Sequence, residues 1–190
     1  MLHSEPSPVT VIRRTTRETD FEGTLTRGTG QATVATGDRF LDHMLATLAR
    51  YASLDLDLRA RGDLRHHLVE DSAIAVGRTV QAMTTPTITR FAAETIPMDD
   101  ALVQVALDLG DRPYYRGPVP SKLYDHWMRS FADNARATLH VRVIRGHDRH
   151  HVVEAAFKAL GLALRGALGE AGTVLSTKGV VTSGSPRAVK

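Results

Sequence analysis

The chain has 190 residues, enough for one ordinary domain or two small ones with a sizeable core. Apolar residues make up 42% and charged residues 24%, the balance of a soluble globular protein, and the absence of cysteine excludes disulfides, thiolate zinc sites and cysteine nucleophiles. The net charge of +3 suits an anionic small substrate as well as nucleic acid and decides for neither.

In chain order, the first eight residues, with Pro6 and Pro8, read as a loose arm. Residues 9–25 are rich in Thr and Arg with partial alternation, which predicts strand, and a second strand follows over 31–36 after Gly28 and Gly30. Phe40, Leu41, Met44, Leu45 and Leu48 recur at helical spacing and predict a helix over 40–51. Residues 54–58 alternate strictly Leu-Asp-Leu-Asp-Leu, the clearest strand, and Gly62-Asp63 ends it. A helix with a broad apolar face is predicted from 66 to 83, stopped by Thr84-Thr85-Pro86. The second half repeats the order, with strands at 101–109 and 114–117, a helix at 121–135, a strand at 138–144 and a long helix at 150–168. The tail from Gly169 is rich in Gly, Ser and Thr, and residues 183–190 read as disordered.

Each half is thus strand–strand–helix–strand–helix, and two such halves predict an internally duplicated α+β fold, a sheet/helix sandwich with helices on one face of each sheet. The halves are drawn at 9–95 and 96–180, two repeats in one compact unit. No run approaches the roughly 18 apolar residues of a membrane span and no secretory signal opens the chain, so a cytoplasmic protein without a membrane partner is expected.

The duplication carries chemistry. Asp42-His43-Met44 is followed by His66-His67-Leu68-Val69-Glu70, and Asp125-His126-Trp127 by His150-His151-Val152-Val153-Glu154. The lone histidines stand 83 residues apart and the paired ones 84 apart. His66 with Glu70, and His150 with Glu154, are four apart on a helix, one turn up the same face, close enough to grip one ion. His67 and His151 are rotated by roughly 100° from their neighbours and cannot easily join them. Each helix therefore serves two metals, or one metal and a substrate. With His43 and His126 there are eight candidate ligands, and their nitrogen and oxygen donors favour Mn, Fe, Ni or Zn. A single His-His-x-x-Glu is more often a solvated face, but two copies with matching upstream histidines make ligation the better reading. His140 reads as a structural histidine, and His3 and His147 as surface residues.

At these residues the chain resembles a known family. Phe40-Leu41-Asp42-His43-Met44-Leu45, His66-His67-x-x-Glu70-Asp71, Arg112-Pro113-Tyr114, His150-His151-Val152-Val153-Glu154-Ala155-x-Phe157-Lys158-Ala159 and Ser176-Thr177-Lys178-Gly179 are similar to imidazoleglycerol-phosphate dehydratase, in the right order over residues 13–179. The resemblance implies a hydro-lyase of histidine biosynthesis that converts imidazole-glycerol phosphate to imidazole-acetol phosphate with two Mn²⁺ per active site. It also implies a duplicated α+β fold and a homo-oligomeric shell of 24 subunits with sites between them. Carried over, the metal ligands are His43, His66, His67, Glu70, His126, His150, His151 and Glu154, of which His43, His67, Glu70, His151 and Glu154 also count as catalytic. Glu18 matches the acid on the substrate side. Arg90, Arg112, Lys158, Ser176 and Lys178 match contacts to phosphate and substrate, and a phosphate dianion needs such convergent cations and hydroxyls.

Three positions depart from the family pattern: the segment Gly62-Asp63-Leu64-Arg65 is about three residues short, Thr47 replaces a common glutamine, and Arg39 takes a position usually small or Pro. The expected chemistry uses the metals as Lewis acids on the imidazole ring, so that the adjacent hydroxide leaves to give a diazafulvene. Glu18 then removes the neighbouring proton. Two other classes compete. A nucleic-acid-binding module lacks a Lys/Arg cluster with interleaved aromatics, aromatics being 5% of the chain, so no nucleic-acid partner is expected. A metal-dependent assembly protein without catalysis sits poorly with the intact ligand set.

Overall fold

A computed structural model describes residues 9–174. Two four-stranded sheets enclose four helices. The first half comprises β1 (Thr10–Thr15), β2 (Thr19–Arg27), β3 (Ala32–Ala35), α1 (Arg39–Ala52), β4 (Leu54–Gly62) and α2 (Arg65–Ala82). The second comprises β5 (Phe91–Met98), β6 (Ala101–Asp108), β7 (Tyr114–Arg116), α3 (Lys122–Asn134), β8 (Thr138–Arg145) and α4 (Arg149–Ala167). The sheets have matching strand orders, β1-β2-β4-β3 and β5-β6-β8-β7. In each, a short strand runs parallel to its neighbour through a helical crossover, β3 with β4 around α1 and β7 with β8 around α3.

The α+β duplication stands, with three strands ahead of the first helix of each half where the sequence suggested two. The stretch 9–25 is a hairpin of two strands. Its turn has no Gly or Pro; instead the Thr16 hydroxyl accepts the backbone N–H groups of Glu18 (3.1 Å) and Thr19 (2.9 Å). In the second half β5 went unread because Pro97 interrupts its pattern, and Pro is tolerated there because β5 is an edge strand. The boundary drawn at 95/96 falls inside this strand, so the second sheet begins before it, at Phe91.

α1 and α2 pack on the first sheet, α3 and α4 on the second, and the helices face each other across the middle, α1 against α4 and α2 against α3. One apolar core runs through all four layers. Trp127, Phe131 and Phe157 fill its centre, with Trp127 4.6 Å from Phe157 between ring centroids and its indole N–H donating to Ser72 Oγ at 3.0 Å. Two glycines 84 residues apart let the helices meet. A Cβ on Gly77 would lie 2.8 Å from Phe131 O of α3, and one on Gly161 would lie 2.7 Å from Tyr51 Cβ and 2.9 Å from Leu48 O of α1. His140 is not in the core: it is exposed on the outer face of the second sheet, with its ring 5.5 Å from Tyr114.

Candidate functional site

The lone histidines sit in the first turns of α1 and α3, and in each case the preceding aspartate anchors that turn. Asp42 accepts from the backbone N–H (2.8 Å) and the hydroxyl (2.6 Å) of Thr36. Asp125 accepts from Val119 N–H at 3.0 Å and from the Tyr115 hydroxyl. Asp38 caps α1 by accepting from Phe40 and Leu41 N–H and also pairs with Arg65 at the start of α2. Asp148 caps α4 by accepting from His150 N–H, whereas α2 starts at Leu64 without a side-chain cap. Helix starts thus hold His43, His66, His126 and His150 near the seam between the helical layers.

Because α1 faces α4 and α2 faces α3, the repeats exchange ligands. His43 of the first half joins His150 and Glu154 of the second, with Glu154 Oε2 lying 3.2 Å from His43 Nε2 and 3.1 Å from His150 Nε2. His126 of the second half joins His66 and Glu70 of the first, with Glu70 3.4 Å from His126 Nε2 and 3.5 Å from His66 Nε2. In each trio the ligand atoms lie within 4.8 Å of one another, and these are the two such groups among the described residues. Two nitrogens, one carboxylate and no sulfur suit a borderline or hard divalent cation such as Mn²⁺ and leave coordination positions for water or substrate.

The two trios differ electrostatically. Glu154 is buried, at 7% exposure, and Lys158 Nζ lies 3.0 Å from its Oε1. Burial favours the neutral acid there, but the hydrogen bonds from Lys158 and His43 and the lysine charge outweigh it and hold the carboxyl below its ordinary range. Glu70 has Ile74 at the corresponding position one turn later. Lys158 also touches Met98 Sδ at 3.4 Å and approaches the Tyr51 ring, so it braces the trio.

His67 and His151 belong to neither trio. Each has its own carboxylate, on Nδ1: Asp63 at 2.7 Å for His67, and Asp100 at 2.7 Å for His151. Those hydrogen bonds raise both histidines above their ordinary pKa, and Asp100, which also accepts from His147 and Asp148 N–H, is held well below the usual carboxylate range. A histidine donating from Nδ1 keeps Nε2 as its possible metal donor, and in the metal-free chain His151 Nε2 faces the Asp99 carboxylate at 3.3 Å. Glu18, in the β1–β2 turn, lies 3.7 Å from His67 Nδ1. Arg90 and Arg112 converge on Asp108, Arg90 through Nε (2.7 Å) and Nη2 (3.0 Å) and Arg112 at 3.1 Å. Ser176 and Lys178 lie outside the described residues. The partners Asp63 and Asp100 escaped the sequence reading: Asp63 stands one helical turn before His67 and was visible in principle, whereas Asp100 is 51 residues from His151 and has no local signal.

Residues 36–164 match the family model of imidazoleglycerol-phosphate dehydratase. The dehydratase of Chlorobium chlorochromatii (strain CaD3) is 40% identical over 195 residues, covering 94% of this chain and 100% of its own. That of Pyrococcus furiosus is 41% identical over 179 residues, covering 90% and 100%. Among solved structures, the P. furiosus enzyme in complex with (S)-C348 superimposes with a TM-score of 0.80 at 40% identity over 89% of this chain and 99% of that one. The enzyme of Staphylococcus aureus subsp. aureus N315 gives 0.75 at 28% identity over 86% and 99%. The chain belongs to the imidazoleglycerol-phosphate dehydratase family and is a hydro-lyase of histidine biosynthesis.

Proposed function

We propose that this chain dehydrates imidazole-glycerol phosphate to imidazole-acetol phosphate with two Mn²⁺ ions per active site, as a cytoplasmic homo-oligomer, a 24-subunit shell, whose sites form between subunits. The observation that carries the reading is the pair of His₂Glu trios, each assembled from both repeats, with nitrogen and oxygen donors within 4.8 Å. His43, His150 and Glu154 hold one ion, and His66, Glu70 and His126 the other. His67 and His151, turned away from the trios of their own chain and polarised by Asp63 and Asp100, complete the trios of neighbouring copies. Three protein ligands per ion on each chain leave room for them.

Bound Mn²⁺ supplies Lewis-acid stabilisation of negative charge on the substrate's imidazole. The chain's own groups do the rest. The hydroxyl on the carbon attached to the ring departs with its electron pair, and the Glu18 carboxylate takes the proton from the next carbon. The resulting enol becomes the ketone. Lys158, 3.0 Å from Glu154 Oε1, holds that carboxylate in place. Arg90, Arg112, Ser176 and Lys178 supply the cations and hydroxyl for the phosphate.

The test is to strip the protein with a chelator, add back Mn²⁺ and follow the enolisable ketone from imidazole-glycerol phosphate. Turnover lost on stripping and restored by Mn²⁺ is the expected result. Full turnover in metal-free protein overturns the metal reading and leaves the family membership untouched.

A further inference from the structure

Behind Glu18 lies a part-buried ionic network, Arg14–Asp71–Thr19, whose positions are not matched by charged residues in the other repeat among the described residues. Asp71 follows Glu70 on α2, is 7% exposed, and accepts from Arg14 Nη2 at 2.7 Å through Oδ1 and from the Thr19 hydroxyl through Oδ2. Thr19 is itself buried and closes the turn that carries Glu18, its N–H donating to Thr16 Oγ1 at 2.9 Å and its carbonyl accepting from Thr16 N–H at 2.8 Å. Asp71 therefore ties the Glu18 turn to the helical turn that holds Glu70 and His67.

The duplication supplies an internal control. Ala155, fully buried, stands 84 residues after Asp71, and the last inward-facing residue of β5 is Met98 where β1 has Arg14. Four residues separate the paired Thr15 and Asp20, but only two separate Met98 and Ala101. The same architecture is thus built with apolar residues at both positions and a tight turn. A buried ion pair gives little net stability over well-packed apolar groups; the second half places its own, Lys158–Glu154, within a histidine trio, whereas in the first half the Arg14–Asp71 pair is joined through Thr19 to the β1–β2 turn. That half has the longer turn, and the longer turn bears Glu18.

We propose that Asp71, with Arg14 and Thr19, is a positioning device for Glu18, holding its carboxylate at a set distance from the α2 histidines so that it meets the substrate carbon. This rests on the reading of Glu18 as the proton acceptor given above.

The test is a double-mutant cycle on the Mn²⁺-loaded enzyme, with Thr19→Val, Glu18→Gln and the double variant, and Thr19→Ser as the conservative control. Thr19→Val should lower kcat by about 10- to 100-fold, a fraction of the 10²–10⁴ that acid–base catalysis contributes, with KM, bound metal and melting temperature little changed. Thr19→Ser, which keeps the hydroxyl, should restore it. In the Glu18→Gln background Thr19→Val should cost nothing more, because the group it positions is gone. Amide exchange in the Glu18 turn should quicken by about 10-fold in Thr19→Val while α2 is unchanged. Equal losses in both backgrounds, failed rescue by serine, or unchanged turn exchange overturns the positioning role. If Glu18→Gln alone turns over normally, the assignment of Glu18 falls first and takes the positioning role with it.

Discussion

His67 and His151 show how much of a residue's chemistry depends on a partner. Each donates to a carboxylate, and the two halves recruit it differently, Asp63 from the connection just before the same helix and Asp100 from the β5–β6 turn. Asp100→Asn weakens that polarisation and should lower Mn²⁺ affinity by about 10- to 100-fold, read by metal titration, the usual effect of removing such a partner. In metal-free protein the pair also affects stability. His151 is raised above 6.5, so its contribution is complete below that pH and is lost as pH rises through the folded value. Asp100 is depressed below 3.8, so its contribution is present above that pH and is lost as pH falls through the folded value. The difference in melting temperature between wild type and Asp100→Asn, measured with chelator, should therefore be largest between those limits and shrink on both sides. Its size should be small, because the pair is solvent-screened. Glu70→Gln and His151→Ala should lose metal and kcat together. Lys178→Ala should keep its metal and raise KM by roughly 10- to 100-fold, the worth of a hydrogen bond to a charged group. Of these residues the histidines and glutamates were legible in sequence, because their spacing is a property of one helix. Asp100 was not, because its contact is made by folding.

At the scale of elements, the helix pairs α1/α4 and α2/α3 bring the ligands together, and Gly77 and Gly161 set how closely they approach. Gly161→Ala puts a methyl against the backbone of α1, and overpacking of this kind costs about 1–3 kcal/mol. A loss of that size should appear as a melting temperature lower by about 2–4 °C for each kcal/mol in a chain of this length. Because the same pair carries His43 and Glu154, metal affinity should fall with it, and a wild-type melting curve would remove Gly161 from this role. The four helices and β4 were legible from periodicity. The β1–β2 turn was not, because Thr16 makes it with a side-chain hydroxyl instead of Gly or Pro. Nor was β5, whose pairing with β6 tolerates the proline that breaks its pattern.

At the scale of the whole molecule, metal and assembly should be linked. In the proposed assembly, a neighbour's histidine completing a trio would make the ion a clamp between surfaces that otherwise juxtapose imidazoles and carboxylates. Stripping metal, or lowering the pH below about 6 where histidine protonates, should weaken it. Light scattering should then report smaller particles under chelation and reassembly on adding Mn²⁺. An unchanged particle mass without metal would break the link.

What the sequence by itself determined was the duplication and the identity of the candidate ligand side chains. Both follow from local periodicity, since a residue's neighbours at i+4 on a helix need no knowledge of the rest of the chain. Tertiary structure decided the partnership. His43 is 23 residues from His66 yet pairs with Glu154, 111 residues away, because the layered fold sets each lone histidine against the other repeat's helix. It also decided that one repeat anchors its turn through Asp71 where the other packs Ala155. Contacts between distant segments depend on which faces are buried together, and that is settled only when the core closes.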